Sequence, residues 1–117
     1  MKVKIIIGNK EVIAIMHDNP SSRDFISLMP LNLKLKDYNS TEKIADLPKK
    51  LSLKEAPAGS DPLIGDIAYY SPWGNLAIFY KDDKYADGLV RLGKIVSGLE
   101  ILKSNDSFNA RIELINE

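Results

Sequence analysis

Apolar and polar residues alternate along several short stretches of the chain, which is typical of β-strands with one buried face. In residues 3–7, apolar side chains occupy positions 3, 5 and 7, and Gly8-Asn9 then forms a typical two-residue hairpin turn before an apolar return strand. Residues 31–38 alternate most clearly, with leucine at positions 31, 33 and 35. The N-terminal third therefore predicts three strands.

Strand-forming residues return in the second half of the chain. Residues 66–71 and 76–80 predict two strands joined by the turn 72–75, and residues 89–96 and 110–115 predict two more. Residues 39–50 show no clear period, and residues 56–62 predict a loop because of their proline, glycine and serine content.

Helical spacing occurs in only two places. Residues 20–29 predict a helix whose Phe25 and Leu28 face the core, capped either by Asn19 with Pro20 as first residue or by Ser21. Residues 98–103 predict a shorter helix. The combined periodicities predict that the following side chains are largely buried: Phe25, Leu28, Leu33, Ile67, Ile78, Leu92 and Ile95.

Many short strands and few helices indicate a mainly β fold, either a barrel or a sandwich. A length of 117 residues fits a single domain, residues 1–117. Sixteen basic and 16 acidic residues cancel, which argues against nucleic acid or a membrane surface as a partner. With no cysteine and His17 as the one histidine, we expect no metal and no cofactor. No apolar run approaches membrane-spanning length, so we expect a cytoplasmic protein.

Six aromatic residues fall within positions 69–85. Because adjacent strand residues face opposite ways, Tyr69 and Tyr70 cannot share one core, nor can Phe79 and Tyr80. Some aromatic side chains must therefore lie on an outer face or line a groove. Trp73 falls in a turn, where it either fixes the turn against the rest of the fold or contacts a ligand.

The densest cluster of hydrogen-bonding side chains is residues 38–43, YNSTEK, at a predicted strand end. Such clusters on a rigid scaffold often form binding sites, although a solvated loop has the same composition. Asp82-Asp83 is a carboxylate pair, but between two strands it indicates a turn.

Three ordered segments resemble the cyclophilin family. Residues 21–28, SSRDFISL, resemble its first helix, and residues 65–69, GDIAY, resemble the strand that begins Gly-x-Leu-x-Met. Residues 87–99 resemble the closing pattern Asp-Gly…Phe-Gly-Lys-Val-x-x-Gly-Met. The stretch GDIAYYSPWGNLAIFYKD is similar to small prokaryotic cyclophilin-like proteins. The resemblance implies a closed antiparallel barrel of about eight strands with one or two short capping helices.

The resemblance also implies a groove on one outer face of the barrel. Cyclophilins isomerise X-Pro bonds there with an arginine, and in residues 39–55 of this chain the nearest cation is Lys43. We therefore expect a peptide or small ligand to bind without catalysis. The alternatives are a divergent prolyl isomerase that uses Lys43, and an assembly module whose aromatic residues pack on a partner. No catalytic residue is predicted, and the expected contact residues are Tyr38, Thr41, Glu42, Lys43, Trp73, Asn75, Ile78 and Tyr85.

Overall fold

A computed structural model describes residues 1–116; residue 117, the last of the predicted domain, lies outside the described residues. One α-helix and ten strands occur within that range. Their bounds are β1 Lys2–Ile7, β2 Lys10–Met16, α1 Pro20–Ser27, β3 Leu31–Tyr38, β4 Glu42–Asp46, β5 Gly59–Ser60, β6 Asp66–Tyr70, β7 Asn75–Phe79, β8 Ala86–Asp87, β9 Leu89–Ser97 and β10 Phe108–Leu114. A 3₁₀ helix, Leu99–Leu102, precedes β10.

Eight of these strands close into an antiparallel barrel in the order β1-β10-β3-β4-β7-β6-β9-β2. The two shortest strands, β5 and β8, pair with each other in a separate ribbon. Closure gives every barrel strand two neighbours, so the sheet leaves no unpaired edge. The predicted mainly β fold, with a closed barrel of about eight strands, is confirmed.

Local signals placed most elements correctly. The pairing of Ile7 with Lys10 leaves Gly8-Asn9 as the hairpin turn, and Gly8 has the positive φ of 61° that this turn requires. Of the two alternatives for the helix cap, Asn19 is the one observed: its Oδ1 accepts from the Ser22 amide at 2.8 Å. Strand β4 and the ribbon were not predicted.

The barrel encloses the main hydrophobic core. Five of the seven residues predicted to be buried are so: Phe25, Ile67, Ile78, Leu92 and Ile95. The prediction was wrong for Leu28 and Leu33, which pack against this core but are only partly buried. Leu28 caps the C-terminus of the short helix, and Leu33 lines a shallow surface cavity beside the small Ala110.

A second apolar cluster lies on the outside of the barrel. Its buried members are Ala68, Ala77, Phe79 and Leu89, with Ile44, Tyr70 and Ala86 packed around them. All of them except Ala86 occupy outward positions of β4, β6, β7 and β9, and we call this surface the outer face. The segment 80–88, which we call the outer loop, connects β7 to β9 and contributes Ala86 to the cluster. Strand β7 is consequently buried on both faces.

Candidate functional site

A groove of about 170 Å³ opens on the outer face, between the ends of β3 and β4, the β6–β7 turn and the outer loop. Its lining is mixed aromatic, aliphatic and acidic: Tyr38, Glu42, Pro62, Tyr70, Trp73, Asn75, Phe79, Asp83, Lys84, Ala86 and Leu89. The floor belongs to the outer apolar cluster, and the polar groups lie around it. An apolar concavity with a few convergent polar groups is the general form of a small-ligand site.

Three aromatic rings form one wall of the groove. Trp73 meets Tyr70 with ring centroids 5.3 Å apart and planes at 81°, and meets Tyr38 at 5.7 Å and 83°. Such edge-to-face pairs are favourable because the positive edge of one ring meets the negative face of another. Trp73 is nevertheless 57% exposed, so its contacts with the two tyrosines leave much of the indole open to a ligand.

Two acceptor side chains of the groove lack partners within residues 1–116. The Oδ1 atom of Asn75 is buried and accepts no hydrogen bond from any described residue. The side chain of Glu42, on β4, likewise forms no hydrogen bond or ion pair within residues 1–116. Burial in the groove and the neighbouring Asp83 carboxylate raise the pKa of Glu42 to about 7.

Of the eight residues that we expected to contact a ligand, four line this groove: Tyr38, Glu42, Trp73 and Asn75. The others lie elsewhere. Thr41 is half-buried in the turn between β3 and β4, where its hydroxyl donates to the Asn39 carbonyl at 2.9 Å. Ile78 is buried in the barrel core.

Lys43 does not line the groove. It shares the inward side of β4 with Ala45 and has no exposed surface. Its Nζ donates to Asp37 Oδ1 at 3.1 Å and to the backbone carbonyls of Ser104 and Asp106 at 2.6 Å each. These three bonds use all three ammonium protons. Lys43, which we expected to contact a ligand, therefore lies inside the barrel and away from the groove.

The Lys43 ammonium belongs to a buried polar cluster at one end of the barrel. Tyr80 donates its hydroxyl proton to Asp37 at 2.5 Å, and Lys43 lies 5.4 Å from the centroid of the Tyr80 ring. Desolvation alone would raise the pKa of Asp37, but the hydrogen bonds from Tyr80 and Lys43 outweigh it and hold that pKa below its usual value. Desolvation and Asp37 raise the pKa of Tyr80 to about 12.

Tyr85 lines a different and larger cavity, of about 470 Å³, together with His17 and Arg91. The Arg91 guanidinium is already engaged, because its Nε donates to Asp66 Oδ2 at 3.1 Å and its Nη2 donates to the Asp61 carbonyl. The groove on the outer face is smaller, but it combines exposed aromatic surface with unpartnered polar atoms. We therefore take the groove as the candidate site.

Sequence reasoning missed several residues of the groove. Tyr70 and Phe79 could have been found, because alternation from the inward Tyr69 and Ile78 places both on the outer face. Asp83 was interpreted as part of a turn, and Pro62 and Lys84 carried no signal, because only the folded chain brings their loops to the groove.

Metal-binding clusters and membrane-spanning helices are both absent from the part of the chain that the structure describes. Residues 1–116 contain no group of three or more His, Asp or Glu side chains placed to hold a metal ion. No helix in that range combines the length and apolar character that crossing a membrane requires.

A closed eight-stranded antiparallel barrel with one helix and a groove on its outer face defines a cyclophilin-like protein. The sequence matches the profile of the Cyclophilin-like family over residues 5–113, and the chain belongs to that family. The solution structure of a hypothetical protein from Archaeoglobus fulgidus is similar, with a TM-score of 0.68 and 15% identity over 97% of this chain and 93% of the other. At this identity the likeness concerns the fold. No curated protein matches the sequence.

Proposed function

We propose that this protein binds a peptide or small-molecule ligand non-covalently in the groove on the outer face. The observation that carries the proposal is Trp73, which is held by Tyr38 and Tyr70 at the groove and still exposes 57% of its surface. Large exposed aromatic rings around an apolar floor are a favourable surface for a ligand, because their burial removes much apolar area from water. We further propose that this binding takes place in the cytoplasm.

Trp73 is the only tryptophan of the sequence, which makes its fluorescence a specific reporter of the groove. We expect a fragment library to yield compounds that change this emission and shift the amide resonances of Tyr38, Glu42 and Asn75 in ¹H–¹⁵N spectra. Resonances of β1 and β2, on the far side of the barrel, serve as the internal control. Hits that shift only residues remote from the groove would refute the proposal.

The alternative function is prolyl isomerisation with Lys43 in place of arginine. The three hydrogen bonds of Lys43 and its complete burial argue against this alternative, because the ammonium has neither a free proton nor access to the groove. We expect kcat/KM for proline peptides to stay below about 10⁴ M⁻¹s⁻¹, the lower end of the usual enzymatic range. A protease-coupled proline-peptide assay measures kcat/KM, and a value within the enzymatic range would support prolyl isomerisation as the function.

A further inference from the structure

Two acceptor groups of the groove receive no hydrogen bond from residues 1–116. Asn75 is only 3% exposed, yet its Oδ1 has no hydrogen-bond partner among the described residues. An unpaired buried carbonyl oxygen costs about 1–3 kcal/mol, so a ligand that donates a proton to it recovers that loss. The Glu42 side chain, which lines the same groove, is also without a hydrogen bond or ion pair within residues 1–116.

Two carboxylates lie near each other at the groove. Glu42 comes from β4 and Asp83 from the outer loop, and after burial the repulsion from Asp83 is the second cause that raises the pKa of Glu42. Lys84 also lines the groove, but it is exposed and forms no ion pair within residues 1–116. A cation placed between the two carboxylates would relieve their repulsion.

The aromatic wall favours the same charge. The faces of Tyr38, Tyr70 and Trp73 carry the negative part of each ring quadrupole, and a cation within about 6 Å of such a ring is attracted to it. Acidic groups, aromatic rings and a free carbonyl oxygen therefore converge on one ligand chemistry. A quaternary ammonium satisfies the first two features, but it has no proton to donate to Asn75.

We propose that the groove recognises a protonated alkylamine, such as a free primary amine or a lysine side chain. Its ammonium lies between Glu42 and Asp83, and rotation of the buried Asn75 amide brings Oδ1 within donating distance of that ammonium. Its alkyl chain packs along Trp73 and the apolar floor. This inference rests on the proposed function, because it specifies the ligand of the same groove.

The test compares three probes of similar size on the wild-type protein: n-butylammonium, butan-1-ol and tetramethylammonium. Binding is followed by Trp73 emission and by the ¹H–¹⁵N shifts of Glu42 and Asn75. We expect n-butylammonium to bind at least tenfold more tightly than either of the other two. Equal binding of the neutral alcohol, or tighter binding of tetramethylammonium, would overturn the inference.

The pH dependence of binding tests the role of Glu42. The titratable groups that face Glu42 across the groove are Tyr38 from β3, Tyr70 from β6, and Asp83 and Lys84 from the outer loop. Because the pKa of Glu42 is about 7, the affinity for n-butylammonium should rise about tenfold from pH 6 to pH 8 as Glu42 ionises. Glu42→Gln should lower the affinity at pH 8 at least tenfold and abolish the rise.

The matched control is Glu11→Gln. Glu11 is an exposed carboxylate on β2, the strand diametrically opposite β4 in the barrel order. We expect this variant to bind like the wild type at both pH values. If Glu42→Gln also binds n-butylammonium as the wild type does, the inference is wrong.

The outcomes separate this inference from the proposed function. If neutral fragments shift the groove resonances and n-butylammonium does not, the groove binds ligands but not amines, and only the inference fails. If no probe or fragment shifts those resonances, both fail. An Nα-acetyl-lysine amide distinguishes a lysine side chain from a free amine as the ligand. If it binds, a lysine side chain in a peptide is favoured. If n-butylammonium binds and the lysine amide does not, a free amine is favoured.

Discussion

Lys43 shows how a single polar side chain can be accommodated in the interior of a barrel. Its position on β4 faces inward, where an unpaired charge would be strongly unfavourable. Asp37 supplies the opposite charge from β3, and the backbone carbonyls of Ser104 and Asp106 accept the remaining protons. The cluster therefore ties the segment before β10 to the β3–β4 hairpin.

Removal of this ammonium is expected to be costly. Lys43→Met leaves Asp37 without its ion-pair partner and two carbonyls without donors, and the loss of one member of a buried pair typically costs about 3–5 kcal/mol. Urea denaturation measures the change in the free energy of unfolding. Lys36→Met, an exposed position on β3, is the control and should change stability by less than about 0.5 kcal/mol. A loss below about 1 kcal/mol for Lys43→Met would contradict this account.

Glu42 should make stability depend on pH in the opposite sense to most carboxylates. Its pKa is about 7 in the folded protein and 4.5 by reference, so between these values the folded state holds a proton that the unfolded chain has released. Its contribution is therefore complete below about pH 4.5 and is lost as the pH rises through 7.

Glu42→Gln fixes a neutral side chain of the same shape. The variant should be more stable than the wild type at pH 8 by about 1–2 kcal/mol, after allowance for the water that still reaches the carboxyl group, and equal to it at pH 4. Thermal or urea unfolding at both pH values checks this, with Glu11→Gln as the control. A gain that is the same at both pH values would point to packing instead of ionisation.

At the scale of elements, the outer loop turns a bare barrel surface into a site. It covers the outward residues of β7 and β9, so the outer face has its own apolar cluster and a groove. Gly88 anchors this loop: its amide donates to the Ala58 carbonyl at 2.7 Å, and its carbonyl accepts from Ser71 at 2.9 Å. Gly88 also has φ of 80°, a conformation that side chains disfavour.

Gly88→Ala should loosen this loop. A Cβ there would lie 2.7 Å from Pro72 Cδ, and the left-handed backbone adds about 1–2 kcal/mol, so we expect a total cost of about 2–3 kcal/mol. Gly74→Ala separates the two effects, because φ at Gly74 is 65° and its Cβ would meet no atom within 4 Å. It should cost only the backbone part. Equal costs in urea denaturation would show that the contact with Pro72 does not matter.

At the scale of the whole molecule, closure of the barrel makes the sheet one cooperative unit. Strand β7 is paired on one side with β4 and on the other with β6, and both of its faces are buried. No barrel strand can separate without breaking two sets of hydrogen bonds or opening the ring. The outer loop, in contrast, has exposed residues at positions 81–85.

Native-state hydrogen exchange should reflect this difference. Amides of Ala77 and Ile78 should exchange only through global unfolding, with the free energy found by urea denaturation, whereas those of Lys81 and Lys84 should exchange much faster. Amide exchange in β7 can be compared with exchange in the β2–β9 pair, whose register shifts between Ile13 and Ala14. If β7 amides exchanged at a free energy well below the global value, the barrel would be opening locally at its centre.

The sequence by itself determined most of the strands and the mainly β class, and it limited the helix cap to two residues. Alternation is a local property, so Leu31–Tyr38 could be identified without knowledge of its neighbours. The Gly8-Asn9 turn and the Asn19-Pro20 cap are equally local, because each depends on backbone conformations that only a few residues favour. Periodicity alone did not distinguish a barrel from a sandwich. The resemblance of three ordered segments to cyclophilins predicted the closed barrel.

Only the tertiary structure decided which polar residues belong to the site. Glu42 and Lys43 are adjacent and equally polar in sequence, yet Glu42 lines the groove and Lys43 is buried inside the barrel. The partners that make this burial possible, Ser104 and Asp106, lie some sixty positions away. Lysine is rarely buried without such partners, so sequence reasoning placed Lys43 at the surface and overlooked β4, whose inward position it occupies. Contacts between residues far apart in the sequence form only when the barrel closes, so local sequence patterns do not reveal them.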